Sequence, residues 1–252
     1  MKPKLFQDKV VLITGGGAGI GRAAAIRFAQ EGAKVVVTGR RSAPLQALAG
    51  QQPGIAFVVA DSADHRDAER TVSEVLAAHG RLDVVVNNAG AGAILPLAQA
   101  DAKRVTDIFA VNVVGPSLLV SAALEALKAT RGCVVNVSST YGHKAAAMLS
   151  HYAGSKAALE HMTRCWALEL APVGIRVNAI AAGPTETDFL AERMQLSPEE
   201  QNAVKEQERS RIPLGRRGVP DEVAGWIVSV VSPTAAWLTG QVITVDGGLD
   251  AT

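Results

Sequence analysis

Apolar positions along this chain fall into two kinds of run. Short blocks rich in Val and Ile, "VVLIT", "KVVVT", "IAFVVA", "LDVVVN", "CVVNVS", "IRVNAI" and "QVITV", are nearly continuous rather than alternating. Such blocks suit strands buried on both faces. Between them lie longer Ala- and Leu-rich stretches at 20–31, 64–79, 101–128, 152–171 and 221–231, which read as helices. Alternation of strand and helix along most of the chain predicts an α/β fold, a doubly wound parallel sheet of about seven strands with helices on both faces. No linker, low-complexity block or internal repeat divides it, so residues 1–252 read as one domain. The one interruption, at 184–218, is polar and charged and holds "SPEEQNAVKEQERSR". It follows a strand's C-terminal end, where such sheets bind ligands, and has the makings of a substrate lid.

Composition narrows the class. Hydrophobic residues make up 48% of the chain, enough for a large core, and the net charge is only +1. That balance gives no electrostatic reason to expect nucleic acid or an anionic membrane as partner. Two cysteines, Cys133 and Cys165, make no disulfide framework and suit a reducing compartment. The start "MKPKLFQDKV" lacks the apolar core of a signal peptide, and no uninterrupted apolar run reaches a bilayer-spanning length. The expectation is a soluble, cytoplasmic protein. The five histidines, at 65, 79, 143, 151 and 161, form no paired zinc-type spacing, so no metal is expected.

The most informative stretch is "VVLITGGGAGIGRAAAIRFAQEG", where a strand runs through a glycine cluster into a helix. The Gly-x-Gly-x-x-Gly fingerprint fits in no frame. The fitting pattern is Thr14-Gly15-x-x-x-Gly19-x-Gly21. Gly15 allows the sharp turn, Gly19 the close approach of a pyrophosphate, and Gly21 tight helix–strand packing. A turn of this kind aims backbone N–H groups and a helix N-terminus at an anion.

This turn resembles that of the short-chain dehydrogenase/reductase family. Further motifs of that family follow in order: "NNAG" at 87–90, Asn112 in "VNVVG", Ser139 in "NVSST", "YAGSK" at 152–156, "AAGPTETDF" and "VDGG". The resemblance covers nearly the whole chain and implies a Rossmann-like, dinucleotide-binding and catalytic domain. One departure is Ala182, where relatives usually carry Pro before the Gly. The resemblance implies cofactor contacts from Gly15, Gly17, Gly19, Ile20 and Gly21 in the turn, Asp61 and Ser62 at the adenine, and Asn88, Ala89 and Gly90 at the ribose. Gly183, Pro184, Thr185 and Thr187 are implied near the nicotinamide, with Tyr152 and Lys156. Asn87 is expected to stabilise the fold. Relatives pair their long helices across two-fold axes, which implies a homotetramer.

Tyr152 and Lys156 lie four apart on an expected helix, so phenol and ammonium share one face. A nearby cation favours phenolate and lowers a phenol's pKa toward neutrality. Tyr152 is thus the expected general acid/base, with Lys156 tuning it and holding the nicotinamide ribose. Ser139, expected just past "CVVNVS", is favoured over Ser138 by the family spacing of 13 positions to Tyr152 and is expected to hold the substrate oxygen. Asn112 is a polar residue in an apolar helix. In relatives its equivalent distorts that helix and links a water to the Lys.

The chain therefore reads as an NAD(P)-dependent oxidoreductase passing a hydride between nicotinamide and a ketone or secondary alcohol. The alternative within enzymes is a 3-oxoacyl-carrier-protein reductase. The alternative from another class is a non-catalytic NADP-binding redox sensor, disfavoured because both Tyr and Lys are present. For the cofactor, "KVVVT" runs into Gly39-Arg40-Arg41 with no acidic residue at the strand end. NAD-binding sites usually carry one there, whereas arginines meet a 2′-phosphate. NADP is expected, with NAD the alternative. Arg40 is the nearer candidate, and Arg41 is free to point to solvent.

Overall fold

The computed structural model describes residues 4–252. Seven strands form one parallel sheet in the order β3-β2-β1-β4-β5-β6-β7. They are β1 (Val10–Thr14), β2 (Lys34–Gly39), β3 (Ile55–Val59), β4 (Val84–Asn87), β5 (Cys133–Ser139), β6 (Arg176–Ala182) and β7 (Val242–Val245). Each lies within a residue or two of a Val/Ile block. β1, β4 and β5 are buried along their whole length, as continuous apolar runs require.

The helices are α1 (Gly19–Gln30), α2 (Ser42–Gln51), α3 (His65–His79), α4 (Ala102–Phe109), α5 (Gly115–Thr130), α6 (Ser150–Leu170), α7 (Phe189–Glu192), α8 (Pro198–Arg211) and α9 (Pro220–Val231). One core layer joins Phe28 of α1, Leu45 and Leu48 of α2 and Ile227 of α9 to one sheet face. The other joins Val72 of α3, Leu127 of α5 and Leu170 of α6 to the opposite face. This is the doubly wound arrangement that strand–helix alternation implies.

Two helical expectations change. α2 was not anticipated, because "SAPLQALAGQ" holds Pro and Gly and buries only Leu45 and Leu48. The single helix expected over 101–128 is three pieces, with a π-turn at Ala110–Val114 between α4 and α5. Together, residues 102–130 are long and apolar enough to cross a bilayer by length and composition, which no uninterrupted apolar run in the sequence had suggested. Here they pack on the sheet through Leu119, Val120, Ala123 and Leu127.

The π-turn has a visible cause. Asn112 is fully buried inside it. Its Nδ2 donates to the Ala91 carbonyl at 2.8 Å and to Ser155 Oγ at 2.9 Å, while its Oδ1 accepts from the Ala91 N–H at 2.8 Å. The widened turn delivers one side chain to both backbone groups of Ala91.

The 184–218 segment leaves the end of β6 and returns beside its own start. Gly218 N donates to Pro184 O at 2.9 Å and Glu186 N to Gly218 O at 2.8 Å. Buried Arg217 donates to the Thr185 carbonyl at 2.6 Å and pairs with Glu186 and Glu208. The stem is thus stitched shut, and α7 and α8 lie beyond it.

Asn112→Ala strips Ala91 of both partners. Leaving such groups unsatisfied costs roughly 1–3 kcal/mol, so the urea midpoint should fall accordingly. An unchanged midpoint would show that the π-turn does not depend on this side chain.

Candidate active site

β1 ends at Thr14, and the chain turns at Gly15 with φ +65°. A Cβ on Gly15 would sit 3.0 Å from Ala89 Cα, and one on Gly21 would sit 2.4 Å from Asn88 Nδ2 and 2.6 Å from Gly15 O. Gly19, at φ +52°, opens α1. Its N-cap is Ala18, which offers no side-chain cap, so the first N–H groups of the helix are left for another acceptor. Asn88 fixes the turn from β4, its Nδ2 donating to the Thr14 and Gly15 carbonyls at 2.9 and 3.2 Å. Thr14 Oγ1 accepts from the N–H groups of Asn88 and Ala89, both at 3.0 Å.

A cleft of about 370 Å³ opens above this turn, lined by Gly15, Gly17, Gly19, Ile20, Asn88, Ala89, Gly90 and Thr187, among others. Thr187 stands over Gly19, where a Cβ would meet its Cγ2 at 3.0 Å. An adjoining cavity carries Asp61 and Ser62 together with Arg40 and Gly90. Gly183, Pro184 and Thr185 do not line the main cleft; Pro184 and Thr185 bond within the segment stem and Gly183 N donates to Val245 O. Ala182 ends β6 in register with Ser139 and Val245, so the missing Pro leaves the strand end intact.

Cations gather at one end of the cleft. Exposed Arg40 and Arg41 follow β2. Arg41 does not point freely to solvent: it pairs with Glu192 of α7 at 2.7 Å, tying β2 to the 184–218 segment. Half-buried Arg193 adds a third guanidinium, pushed below its usual range by burial and by the charges of Arg40 and Arg41. Sequence reasoning missed Arg193, because it lies in a segment without a motif.

These features fit a nicotinamide dinucleotide. The glycine cradle leaves room where a Cβ would clash, the uncapped helix start offers donors, and the guanidinium groups supply positive charge.

At the other end, α6 brings Tyr152 and Lys156 to one buried face, 8% and 4% exposed. Ser139 is the last residue of β5, inside the strand rather than past it, and its Oγ accepts from Tyr141 N at 3.2 Å. Ser138 points the other way, donating to Glu160 Oε1 at 2.7 Å, as alternation along a strand requires. Gly90 links the two ends: a Cβ there would lie 3.7 Å from both Lys156 Nζ and Asn112 Oδ1. The Phe189 ring lies 6.0 Å from that of Tyr152. Asn87 serves the core, donating to Asn136, which donates to Thr163, both at 2.8 Å.

The electrostatics differ from the expectation that the ammonium lowers the phenol. Burial pushes Tyr152 above its usual range, and the Ser139 hydroxyl pulls it only partly back. Lys156 Nζ is turned to the Val137 carbonyl at 2.8 Å. Burial lowers Lys156 to about 8, against the Glu160 carboxylate, which raises it. Of the two histidines flanking this region, His143 is engaged by Glu160 and Asp250. The Nε2 of His151 is buried without a partner.

Residues 15–250 match a family model described as enoyl-(acyl carrier protein) reductase. The chain is 40% identical to an uncharacterized oxidoreductase of Thermotoga maritima, covering 98% of this chain and 99% of that protein. It is 36% identical to an L-rhamnose 1-dehydrogenase (NAD(P)(+)) of Azotobacter vinelandii, with 97% and 98% covered. The crystal structure of a 3-ketoacyl-(acyl-carrier-protein) reductase from Brucella melitensis, complexed with NADH, superposes with a TM-score of 0.90 at 32% identity, covering 97% and 99% of the chains. With the glycine turn, the buried Tyr152–Lys156 face and this full-length similarity in hand, the chain belongs to the short-chain dehydrogenase/reductase family.

Proposed function

We propose that this protein is an NADP-dependent alcohol dehydrogenase or carbonyl reductase acting on a small ketone or secondary alcohol. The observation that carries the reading is that Tyr152, paired with the Ser139 hydroxyl, packs against Gly92 while Lys156 Nζ reaches Gly90, which lines the glycine-rich cleft. A nicotinamide held there would supply or accept the hydride. The chain's own residues do the rest. Ser139 holds the substrate oxygen. Tyr152 donates its phenolic proton to that oxygen in reduction and takes it back in oxidation. Lys156 stabilises phenolate and holds the ribose, for which Nζ must leave the Val137 carbonyl. Asn112 anchors the loop at Ala91 beside the pair and supports the proton relay. The 184–218 segment covers the substrate, with Phe189 facing Tyr152.

The sources of this reading are the site's chemistry and relatives that include a sugar dehydrogenase. A second reading, reduction of a 3-oxoacyl group on a carrier protein, is favoured by the Brucella melitensis neighbour. Arg131, which packs over Gly174, would be the cation facing an acidic carrier. A cytoplasmic setting and a homotetramer complete the proposal.

Tyr152→Phe should lower turnover by about two to four orders of magnitude, the worth of a general acid/base, while cofactor still quenches protein fluorescence. Lys156→Ala should impair both. Turnover above half of wild type in Tyr152→Phe would refute the assignment.

For the cofactor, kcat/KM should favour NADP(H) over NAD(H), and Arg40→Ala should erode the preference by roughly tenfold or more, the worth of a charge-assisted contact. A wild-type preference for NAD(H) would overturn NADP; a preference unmoved by Arg40→Ala would overturn the role of Arg40.

Light scattering at micromolar concentration should give the mass of four chains. A monomer there would exclude the proposed assembly.

A further inference from the structure

Behind the site lies a carboxylate that the proposed chemistry does not use. Glu160 is 2% exposed and sits one turn along α6 from Lys156. Its Oε1 accepts from Ser138 Oγ at 2.7 Å, and both its oxygens lie 3.2 Å from His143 Nδ1. The His143 ring is held on its far side by Thr244 and Asp250, each 3.3 Å from Nε2. A Cβ on Gly142 would lie 2.3 Å from Glu160 Oε1, so the loop after Ser139 closes directly over the carboxylate.

Lys156 is the other half of the problem. Its ammonium is buried, and its bond to the Val137 carbonyl supplies no opposing charge. A buried cation without a counter-charge tends to shed its proton. Four groups bear on Lys156, directly or through Glu160. Tyr152 and Glu160 share the helix with Lys156, while His143 approaches Glu160 from the loop after β5 and Asp250 approaches His143 from the C-terminal turn. Glu160 stands four residues along α6 from Lys156, a spacing that puts two side chains on one helix face. Both are buried, and Ser138 Oγ lies 3.4 Å from the Lys156 carbonyl and 2.7 Å from Glu160 Oε1. A carboxylate here therefore favours the ammonium. Ser138 and His143 fix the carboxylate's orientation, so its field is built in rather than incidental.

We propose that Glu160 is a positioning residue for the catalytic pair: its buried carboxylate, clamped by Ser138 and His143, keeps Lys156 an ammonium at the pH where Tyr152 works. The inference rests on reading Tyr152 and Lys156 as the acid/base pair. Removing the carboxylate disfavours the charged lysine, so the ammonium is lost at lower pH, and the alkaline limb of kcat/KM moves down with it.

The test is an NMR titration of the full-length, cofactor-free protein with isotope-labelled lysine, the Lys156 side-chain signal being identified by its absence in Lys156→Met. Glu160→Gln keeps the shape and should move the Lys156 midpoint down by about one pH unit. Activity at pH 8.5 should then fall roughly eightfold relative to wild type, with little change at pH 6.5. Glu160→Met fills the same space without an unpaired polar group, serves if Glu160→Gln does not fold, and should give the same shift. Ser138→Ala leaves the charge in place and should move the midpoint by less than about a third of a unit. A midpoint unmoved by loss of the carboxylate, or moved equally by Ser138→Ala, overturns the proposal. The titration needs neither substrate nor cofactor. It therefore separates this inference from the functional reading, whose failure shows as turnover surviving Tyr152→Phe.

Discussion

The site depends on parallel pairing in the middle of the sheet. Ile13 of β1 lies opposite Val86 of β4, Asn87 opposite Asn136 of β5, and Ser139 opposite Ala182 of β6. Because the strands run the same way, Thr14, Asn87, Ser139 and Ala182 all finish at one edge. Everything that handles cofactor or substrate hangs from those ends. Thr14 and Asn88 then lock the glycine turn to the neighbouring strand through four hydrogen bonds. A one-residue slip between β1 and β4 would break that lock and turn alternate side chains to the wrong face.

Much of this was legible because strand burial and glycine requirement both leave marks in sequence. The continuous Val/Ile blocks mark all seven strands, but burial on both faces holds along the whole of only β1, β4 and β5. The edge strands β3 and β7 are partly exposed, because each has a neighbour on one side only. Gly15, Gly19 and Gly21 were readable because each meets a backbone constraint no other residue satisfies. The choice of Ser139 over Ser138 followed from the family spacing, and the two hydroxyls do take different partners, Ser138 meeting Glu160 and Ser139 the Tyr141 N–H. What escaped was structure held by single side chains. No periodicity marks the π-turn; only the family resemblance, by which Asn112 distorts that helix, pointed to it, and within it Asn112 holds both backbone groups of Ala91. α2 escaped because its apolar face amounts to two leucines.

Charge was legible only as identity, not as environment. From spacing alone, an ammonium four residues from a phenol looks sufficient to lower it. Once both are buried, desolvation acts against each charged form, and the phenol stands above its ordinary range while the lysine stands below. The balance between them is decided by third parties that no spacing rule names, Ser139 on one side and Glu160 on the other. A site read from sequence lists the groups; how far each holds its proton is a property of the packing around them.

The arginines make the same point at the cofactor end. Sequence placed Arg40 and Arg41 after β2 as equals apart from distance. The fold separates them, because Glu192 takes Arg41 into an ion pair while Arg40 keeps its charge open to the cleft. That pair is more than half exposed on the arginine side, so it contributes little to stability. Its consequence is geometric: it ties the end of α7 to the turn after β2, where Arg193 lines the cleft with Arg40. Arg40 and the half-buried Arg193 repel one another there, a repulsion that an anion would relieve. The stem of the same segment is fixed by Arg217 and the Thr185–Gly218 bridge. The 184–218 segment is thus held at a buried, stitched base, by an exposed ion pair over the cleft, and by Thr187 over Gly19 and Phe189 against Tyr152.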